Sequence, residues 1–228
     1  MKTIAIILAS GTGSRFGDKL PKQFTKIGDK TLLEISVEAF IGTDRVDEII
    51  LVITPEYISL AKEIVKKNNY QKVTKIIGGG EIRKDSSYMG VCAVEEDEAN
   101  VLIHDCARPL ISEKIINDCI DAMSEHDAAA VAIPSTDTMI EVKDGIITNI
   151  PKRENLMRIQ TPQCFKLSVI KKAHELSKND KDFTDDCGLV VKHGLCDIYI
   201  ITGERSNIKI TYPEDIYFAE NFIKSLGS

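Results

Sequence analysis

No stretch of this 228-residue chain is long enough and apolar enough to span a membrane, and the apolar opening run at residues 4–9 is too short even for a secretory h-region. No pair among the six cysteines (Cys92, Cys106, Cys119, Cys164, Cys187 and Cys196) has C-x-x-C spacing. Their scatter, with no signal peptide, points to free thiols in a reducing cytoplasm. Nor is there an excess of positive charge: 29 Lys+Arg against 35 Asp+Glu give a net charge of −6. That balance argues against nucleic acid as a partner, while local basic clusters still permit an anionic small ligand. Low-complexity tracts and repeats of solenoid period are absent. The four histidines, at 104, 126, 174 and 193, lack metal-ligand spacing, and His126 and His174 are expected to be exposed at helix ends.

What is present is ordinary globular composition, 43% hydrophobic and 28% charged, in a length suited to one α/β domain over residues 1–228. Apolar runs at 3–8, 48–54, 73–77, 100–104 and 128–133 read as strands, and 48–54 looks buried on both faces. Helical spacing marks 32–41, 59–68, 86–96, 112–124 and 214–226, with Ser112 as an N-cap. The last of these carries Ile216, Phe218, Phe222 and Ile223 and is expected to pack on the sheet edge. Strand–helix alternation predicts a mostly parallel, Rossmann-like sheet with helices on both faces and ligands at the carboxyl ends of its strands. Residues 135–150 break the pattern and read as a β-hairpin, strand 137–142, turn Lys143-Asp144-Gly145, strand 146–148. A lone hairpin is marginal in water, so this arm, about 135–155, is expected to pack on something else, such as a second subunit.

The run Leu8-Ala9-Ser10-Gly11-Thr12-Gly13-Ser14-Arg15-Phe16-Gly17, followed by Leu20-Pro21-Lys22-Gln23, comes straight after a buried strand. Glycines let backbone N–H groups approach a phosphate, and Arg15 and Lys22 supply positive charge; alone, the run could equally be a loop with two solvated cations. Gly11, Gly13 and Gly17 miss the G-x-G-x-x-G spacing, the Walker A pattern is absent, and no acidic residue ends a second strand about 20 residues later, since the strand there ends in Ile53-Thr54-Pro55. An NAD-binding oxidoreductase is therefore disfavoured. Gly78-Gly79-Gly80-Glu81-Ile82-Arg83-Lys84-Asp85-Ser86-Ser87 reads either as a recognition loop or as a turn capped by Asp85 or Ser86. His104-Asp105-Cys106-Ala107-Arg108-Pro109 places a carboxylate at the end of a buried strand, where it suits magnesium or ribose, or a buried Asp–Arg pair that fixes a turn.

These motifs, joined in order by Gln160-Thr161-Pro162-Gln163, Thr184-Asp185-Asp186 and Asn207-Ile208-Lys209-Ile210-Thr211, resemble the 2-C-methyl-D-erythritol 4-phosphate cytidylyltransferase family across nearly the whole chain. A sister group makes CDP-ribitol from ribitol 5-phosphate. The resemblance implies a Mg²⁺-dependent transfer of CMP from CTP to a small polyol phosphate. It assigns Arg15, Lys22 and Lys209 to catalysis, and Ala9, Ser10, Gly11, Gly13, Gly80, Glu81, Ser86, Asp105 and Cys106 to the nucleotide. Asp105 is also the expected Mg²⁺ ligand. Cys106 replaces the family's usual alanine, and no general base is apparent that would make it a nucleophile. The family is a homodimer with interlocking arms, so Thr138 and Arg153 are expected to reach the partner's acceptor site, beside Arg108, Thr161, Thr184 and Asp186. For Arg153 the plainer reading is a solvated arm residue, since Lys152 and Arg158 are equally cationic. Methylerythritol phosphate is the expected acceptor, from Thr184-Asp185-Asp186 and Arg83-Lys84-Asp85-Ser86; ribitol 5-phosphate is the alternative, from Cys187 and Met157. A non-catalytic homologue should have lost Arg15, Lys22, Asp105 or Lys209, and none is lost.

Overall fold

The computed structural model describes residues 1–11, 20–180 and 183–226. In chain order the elements are β1 (Lys2–Ala9), β2 (Lys26–Ile27), β3 (Lys30–Thr31), α1 (Leu32–Ile41), β4 (Glu48–Ile53), α2 (Ile58–Lys67), β5 (Val73–Gly78), α3 (Arg83–Cys92), β6 (Ala99–Asp105), α4 (Glu113–Glu125) and β7 (Ala128–Pro134). There follow β8 (Glu141–Lys143), β9 (Ile146–Asn149), β10 (Met157–Lys166), α5 (Leu167–Leu176), α6 (Asp186–Lys192), β11 (Tyr199–Thr202) and α7 (Glu214–Leu226). Seven strands form one sheet in the order β11-β7-β10-β6-β1-β4-β5. All neighbours are parallel except β10, which runs antiparallel to both β6 and β7. β10 follows β7 through the hairpin without a crossover helix, and so returns antiparallel beside the strand it left.

The central strand explains the three layers. Ile4, Ile6 and Leu8 of β1 pack into one core with α3 and α5 residues such as Val91 and Ile170, while Ala5, Ile7 and Ala9 face a second core with Val37 of α1 and Ile115 of α4. With both faces covered, the strand is apolar without alternation. Each fully buried isoleucine contributes roughly 1.5–3 kcal/mol. Close approach is built in at Gly90 of α3, where a Cβ would lie 2.4 Å from Ile6 Cγ2 and 3.1 Å from Val52 Cγ2.

Several local expectations are revised. α3 begins at Arg83, and its N-cap, Ile82, makes no side-chain cap; Asp85 and Ser86 lie inside the first turns. The Ser86 hydroxyl accepts instead from the Gly80 N–H at 3.1 Å. Ser112 does cap α4, accepting from Ile115 N–H at 3.3 Å. The hairpin is shorter on its first side, with a two-residue turn whose Asp144 (φ 53°) and Gly145 (φ 79°) are both left-handed, as a type I′ turn requires. α7 packs not on the sheet edge but with Ile27, Leu32, Leu110 and Ile210, and Phe218 stays 48% exposed. His174 is buried rather than exposed. Among the described residues no helix is long and apolar enough to cross a membrane.

Candidate active site

A cleft of about 240 Å³ opens where β1, β5 and β6 end. Its floor is set by two loops pulled together. β1 runs out through Ser10 and Gly11, and the chain comes back at Pro21 into a single 3₁₀ turn, Lys22–Phe24. The buried Gln23 amide clamps that return segment under the strand by donating to the Ala9 carbonyl at 2.7 Å. Lys22 is thereby aimed at the cleft, its ammonium donating to the Ile210 carbonyl at 2.9 Å. From the other side, Gly79 and Gly80 leave β5. A Cβ on Gly79 would sit 2.4 Å from Ser10 Cβ and 2.9 Å from Ser86 Oγ, so only glycine allows the Ser10–Ser86 hydroxyl contact at 2.7 Å.

Asp105, the last residue of β6, holds the centre. Its N–H donates to Thr161 Oγ1 at 3.1 Å, Arg83 Nε donates to Oδ1 at 2.9 Å, and Lys209 Nζ donates to Oδ2 at 2.6 Å. Burial alone would raise its pKa, but the Arg83 and Lys209 cations outweigh that and hold the carboxylate far below its usual range. Breaking a buried pair of this kind by removing one partner costs about 3–5 kcal/mol. Next to it, burial pushes the Cys106 thiol up to about 12, so it is no nucleophile at neutral pH and serves as a small filler. Arg108 is not among the residues that line the cleft: Nη1 donates to the Asn207 carbonyl at 2.8 Å and Nη2 to the Ile159 carbonyl at 3.5 Å. Burial lowers its pKa, but a guanidinium stays charged.

Behind the cleft, His104 lies wholly buried with Nδ1 3.0 Å from Thr161 Oγ1 and Nε2 3.1 Å from the Arg108 carbonyl. Burial lowers its pKa to about 4, so the ring is neutral near pH 7. Gln160 and Asn207 lock the segment that carries Lys209 to β10: Gln160 Nε2 donates to the Glu204 carbonyl at 2.8 Å, and Asn207 Nδ2 to the Thr161 carbonyl at 3.0 Å. Three distant stretches of chain are in this way fastened at one sheet end.

The cleft thus gathers Ala9, Ser10, Gly11, Lys22, Gly80, Glu81, Ser86, Asp105, Cys106 and Lys209, the catalytic and nucleotide-side residues expected from sequence except Gly13 and Arg15, which lie outside the described residues. The acceptor-side group is placed differently. Thr161 is 4% exposed and its hydroxyl is taken up by Asp105 and His104. Asp186 is fully buried, bonded to Arg83 and Ser87, and cannot meet acceptor hydroxyls as the Thr184-Asp185-Asp186 motif suggested. Thr184 is exposed, and Thr138 and Arg153 lie exposed on the arm, where Arg153 Nη1 donates to the Thr136 carbonyl at 3.4 Å. Arg153 borders a separate shallow basin with Ser135, Lys152 and Met157.

Sequence reasoning missed Arg83, which lines the cleft and pairs with both Asp105 and Asp186. It stands within the Gly80–Ser87 motif, but its partners are 22 and 103 residues away, beyond any local signal.

Comparison with known proteins agrees with this architecture. The family model of IspD, described as 2-C-methyl-D-erythritol 4-phosphate cytidylyltransferase, matches residues 3–225. The chain is similar to the enzyme of that name from Thermobifida fusca, 38% identical over 98% of this chain and 94% of the relative. It is 39% identical, over 98% of its length, to the bifunctional ribulose 5-phosphate reductase/CDP-ribitol pyrophosphorylase Bcs1 of Haemophilus influenzae, of which it spans 48%. Among solved structures, 4-diphosphocytidyl-2C-methyl-D-erythritol synthase from Anaerococcus prevotii superposes with a TM-score of 0.86 at 31% identity, covering 98% of both chains.

Proposed function

The chain belongs to the 2-C-methyl-D-erythritol 4-phosphate cytidylyltransferase family, and we infer from that membership and from the cleft that it joins CMP from CTP to 2-C-methyl-D-erythritol 4-phosphate and releases pyrophosphate. The observation that carries this reading is the meeting of Lys22 and Lys209, 187 positions apart in the sequence, on one cleft with Asp105 and the Ser10–Ser86 contact.

In the step itself an oxygen of the acceptor phosphate forms a bond to the α-phosphorus of CTP. The bond from that phosphorus to the bridging oxygen breaks, and its electron pair leaves on pyrophosphate. The protein's contribution is positioning and charge. Lys22 and Lys209 face the triphosphate and neutralise charge that builds on the leaving oxygens, a role the family resemblance extends to Arg15, which lies outside the described residues. Gly80 and Glu81 beyond β5 and Ser86 in α3 meet the base, while Ala9, Ser10 and Gly11 at the end of β1 and Cys106 beyond β6 border the nucleotide, a role the family resemblance extends to Gly13.

Among the described residues no cluster of three or more His, Cys, Asp or Glu side chains could cage a metal. Mg²⁺ commonly uses one or two carboxylates and completes its shell with phosphates and water, and Asp105, ionised at the cleft, fits that role. When bound, the ion would neutralise phosphate charge and hold the triphosphate in shape.

The arm supports a homodimer. Met139, Val142, Ile146, Ile147 and Ile150 are each 50% exposed or more. Covered by a second copy, this arm would bring Thr138 and Arg153 to the acceptor phosphate in the partner's cleft, near Arg108 and Thr184. Six unpaired cysteines support a reducing, cytoplasmic setting.

A pyrophosphate-release assay with CTP, Mg²⁺ and each acceptor tests the reading. Turnover with methylerythritol phosphate at least tenfold above that with ribitol 5-phosphate is expected. The reverse order would transfer the enzyme to the CDP-ribitol activity named for its Haemophilus relative, and no release with either acceptor would end the proposal.

A further inference from the structure

We propose that Asp186 is a positioning residue rather than a substrate ligand: through Arg83 it fixes the Asp105 carboxylate in the nucleotide cleft. The role rests on the cytidylyltransferase reading of that cleft.

Asp186 opens α6 and is 0% exposed. Its Oδ2 accepts from Arg83 Nη1 at 2.8 Å, and its Oδ1 accepts from Ser87 Oγ at 2.5 Å and stands 3.4 Å from His174 Nε2. Its own N–H donates to Gln163 Oε1 at 2.9 Å. The carboxylate is therefore tied to α3 and α5 and its backbone to β10, with no face left for a ligand. Arg83, the first residue of α3, then spans from Asp186 to Asp105, with Nε 2.9 Å from Asp105 Oδ1. A guanidinium carries its donors on a rigid plane, so it fixes how two carboxylates stand relative to each other; a lysine ammonium is a single point of charge and does not.

The two ends of this chain of charges differ most in exposure. The side chains are 1% exposed at Asp186, 20% at Arg83, 10% at Asp105 and 42% at Lys209. Two cations and two anions balance, and the buried end is the anchored one. A phosphate arriving in the cleft competes with Asp105 for Lys209, the open end. Asp105 keeps its place in that exchange because Arg83 is still held from behind. Without the charge on Asp186, Arg83 has only Asp105, which it must share with Lys209.

A misplaced group in a preorganised site costs up to about 10²-fold in rate. In Asp186→Asn we expect kcat to fall about 10- to 100-fold, with KM for CTP and for the acceptor each within about threefold of wild type. Arg83→Gln should show a similar loss, and adding Asp186→Asn to it should cost nothing more, because the effect passes through Arg83. The proposal is overturned by a raised acceptor KM with kcat intact, by an unchanged kcat, or by the same loss in the Arg83→Gln background. If Asp186→Asn does not fold, Arg83→Lys replaces it: its ammonium cannot span both carboxylates, and wild-type turnover there overturns the idea. Wild-type protein inactive with every acceptor would instead condemn the functional reading. The linkage is then read by NMR, where the Arg83 Nε–H of wild type should exchange with solvent at least about tenfold more slowly than in Asp186→Asn, and equal rates would overturn it.

Discussion

Lys209 Nζ sits 2.6 Å from Asp105 Oδ2 across 104 residues of sequence, and the lysine's side chain is 42% exposed while the aspartate's is 10%. The carboxylate belongs to the rigid sheet and the ammonium to the open side of the cleft. Lys209 is thus parked against the sheet by a partner that a triphosphate, with its greater charge, can outbid. Removing either cleft lysine takes a preorganised cation from the developing anion, so Lys209→Ala and Lys22→Ala should each lower kcat by roughly 10²–10³. Steady-state kinetics of pyrophosphate release would show it, and a near-normal kcat in Lys22→Ala would remove that residue from the mechanism.

Gly79→Ala tests the loop contact that shapes the nucleotide side. The added methyl must displace Ser10 or Ser86, since its Cβ would lie 2.4 Å from one side chain and 2.9 Å from the other. Overpacking of this sort costs about 1–3 kcal/mol. Confined to two loops at a ligand site, it should appear mainly as a KM for CTP raised about tenfold, one decade per 1.4 kcal/mol, with the acceptor KM little altered. Isothermal titration with a non-hydrolysable CTP analogue is the direct check, and unaltered affinity would mean that the Ser10–Ser86 contact is incidental.

His104 sets a pH dependence of stability. Its folded pKa, about 4, lies below the ordinary 6.5 because burial penalises the charged ring. The unfolded chain therefore binds a proton first as pH falls, and stability drops from about pH 6.5 towards pH 4, by on the order of 2–4 kcal/mol for this group. The carboxylates act lower down. Burial would raise the Asp186 pKa, but Arg83 and His174 prevail and bring it to about 2, so its contribution is whole above about pH 4 and is lost on the way to pH 2. Urea midpoints at pH 7, 5.5 and 4.5 should decline in wild type and decline less in His104→Gln. Parallel declines would show that His104 is not the group responsible.

The fold was largely legible because its signals are local. β1 and β4 read as buried strands because Ile4, Ile6, Ile7 and their partners fill both faces, and the turn at Asp144-Gly145 declares itself through residues that tolerate positive φ. The lining of the cleft was legible for the same reason: most of its residues follow strand ends, where a parallel sheet presents ligands. The acceptor side was not. Asp186 reads as a polar residue in a motif, and only the fold shows that it is enclosed by Arg83, Ser87 and His174. His174 reads as a helix-end surface residue for want of any view of Asp186. Charge pairs across a hundred residues leave no periodicity, so burial of ionic groups escapes a reading built on spacing.

The arm yields a prediction that separates a cleft completed within one protomer from a cleft completed by its partner. Arg153 is exposed and borders a basin apart from the nucleotide cleft of its own chain. Arg153→Ala should raise the acceptor KM and leave CTP binding almost unchanged, since one phosphate contact is lost and the nucleotide side is intact. Protomers carrying Lys22→Ala and Arg153→Ala should then rescue each other when mixed, at acceptor concentrations well below KM. In a dimer with exchanged arms the mixed species has one site with both defects and one with neither. Random pairing makes half the dimers mixed, and so about a quarter of wild-type activity should return. If each arm served its own protomer, every site in the mixture would carry one lesion and no activity would return after subunit exchange.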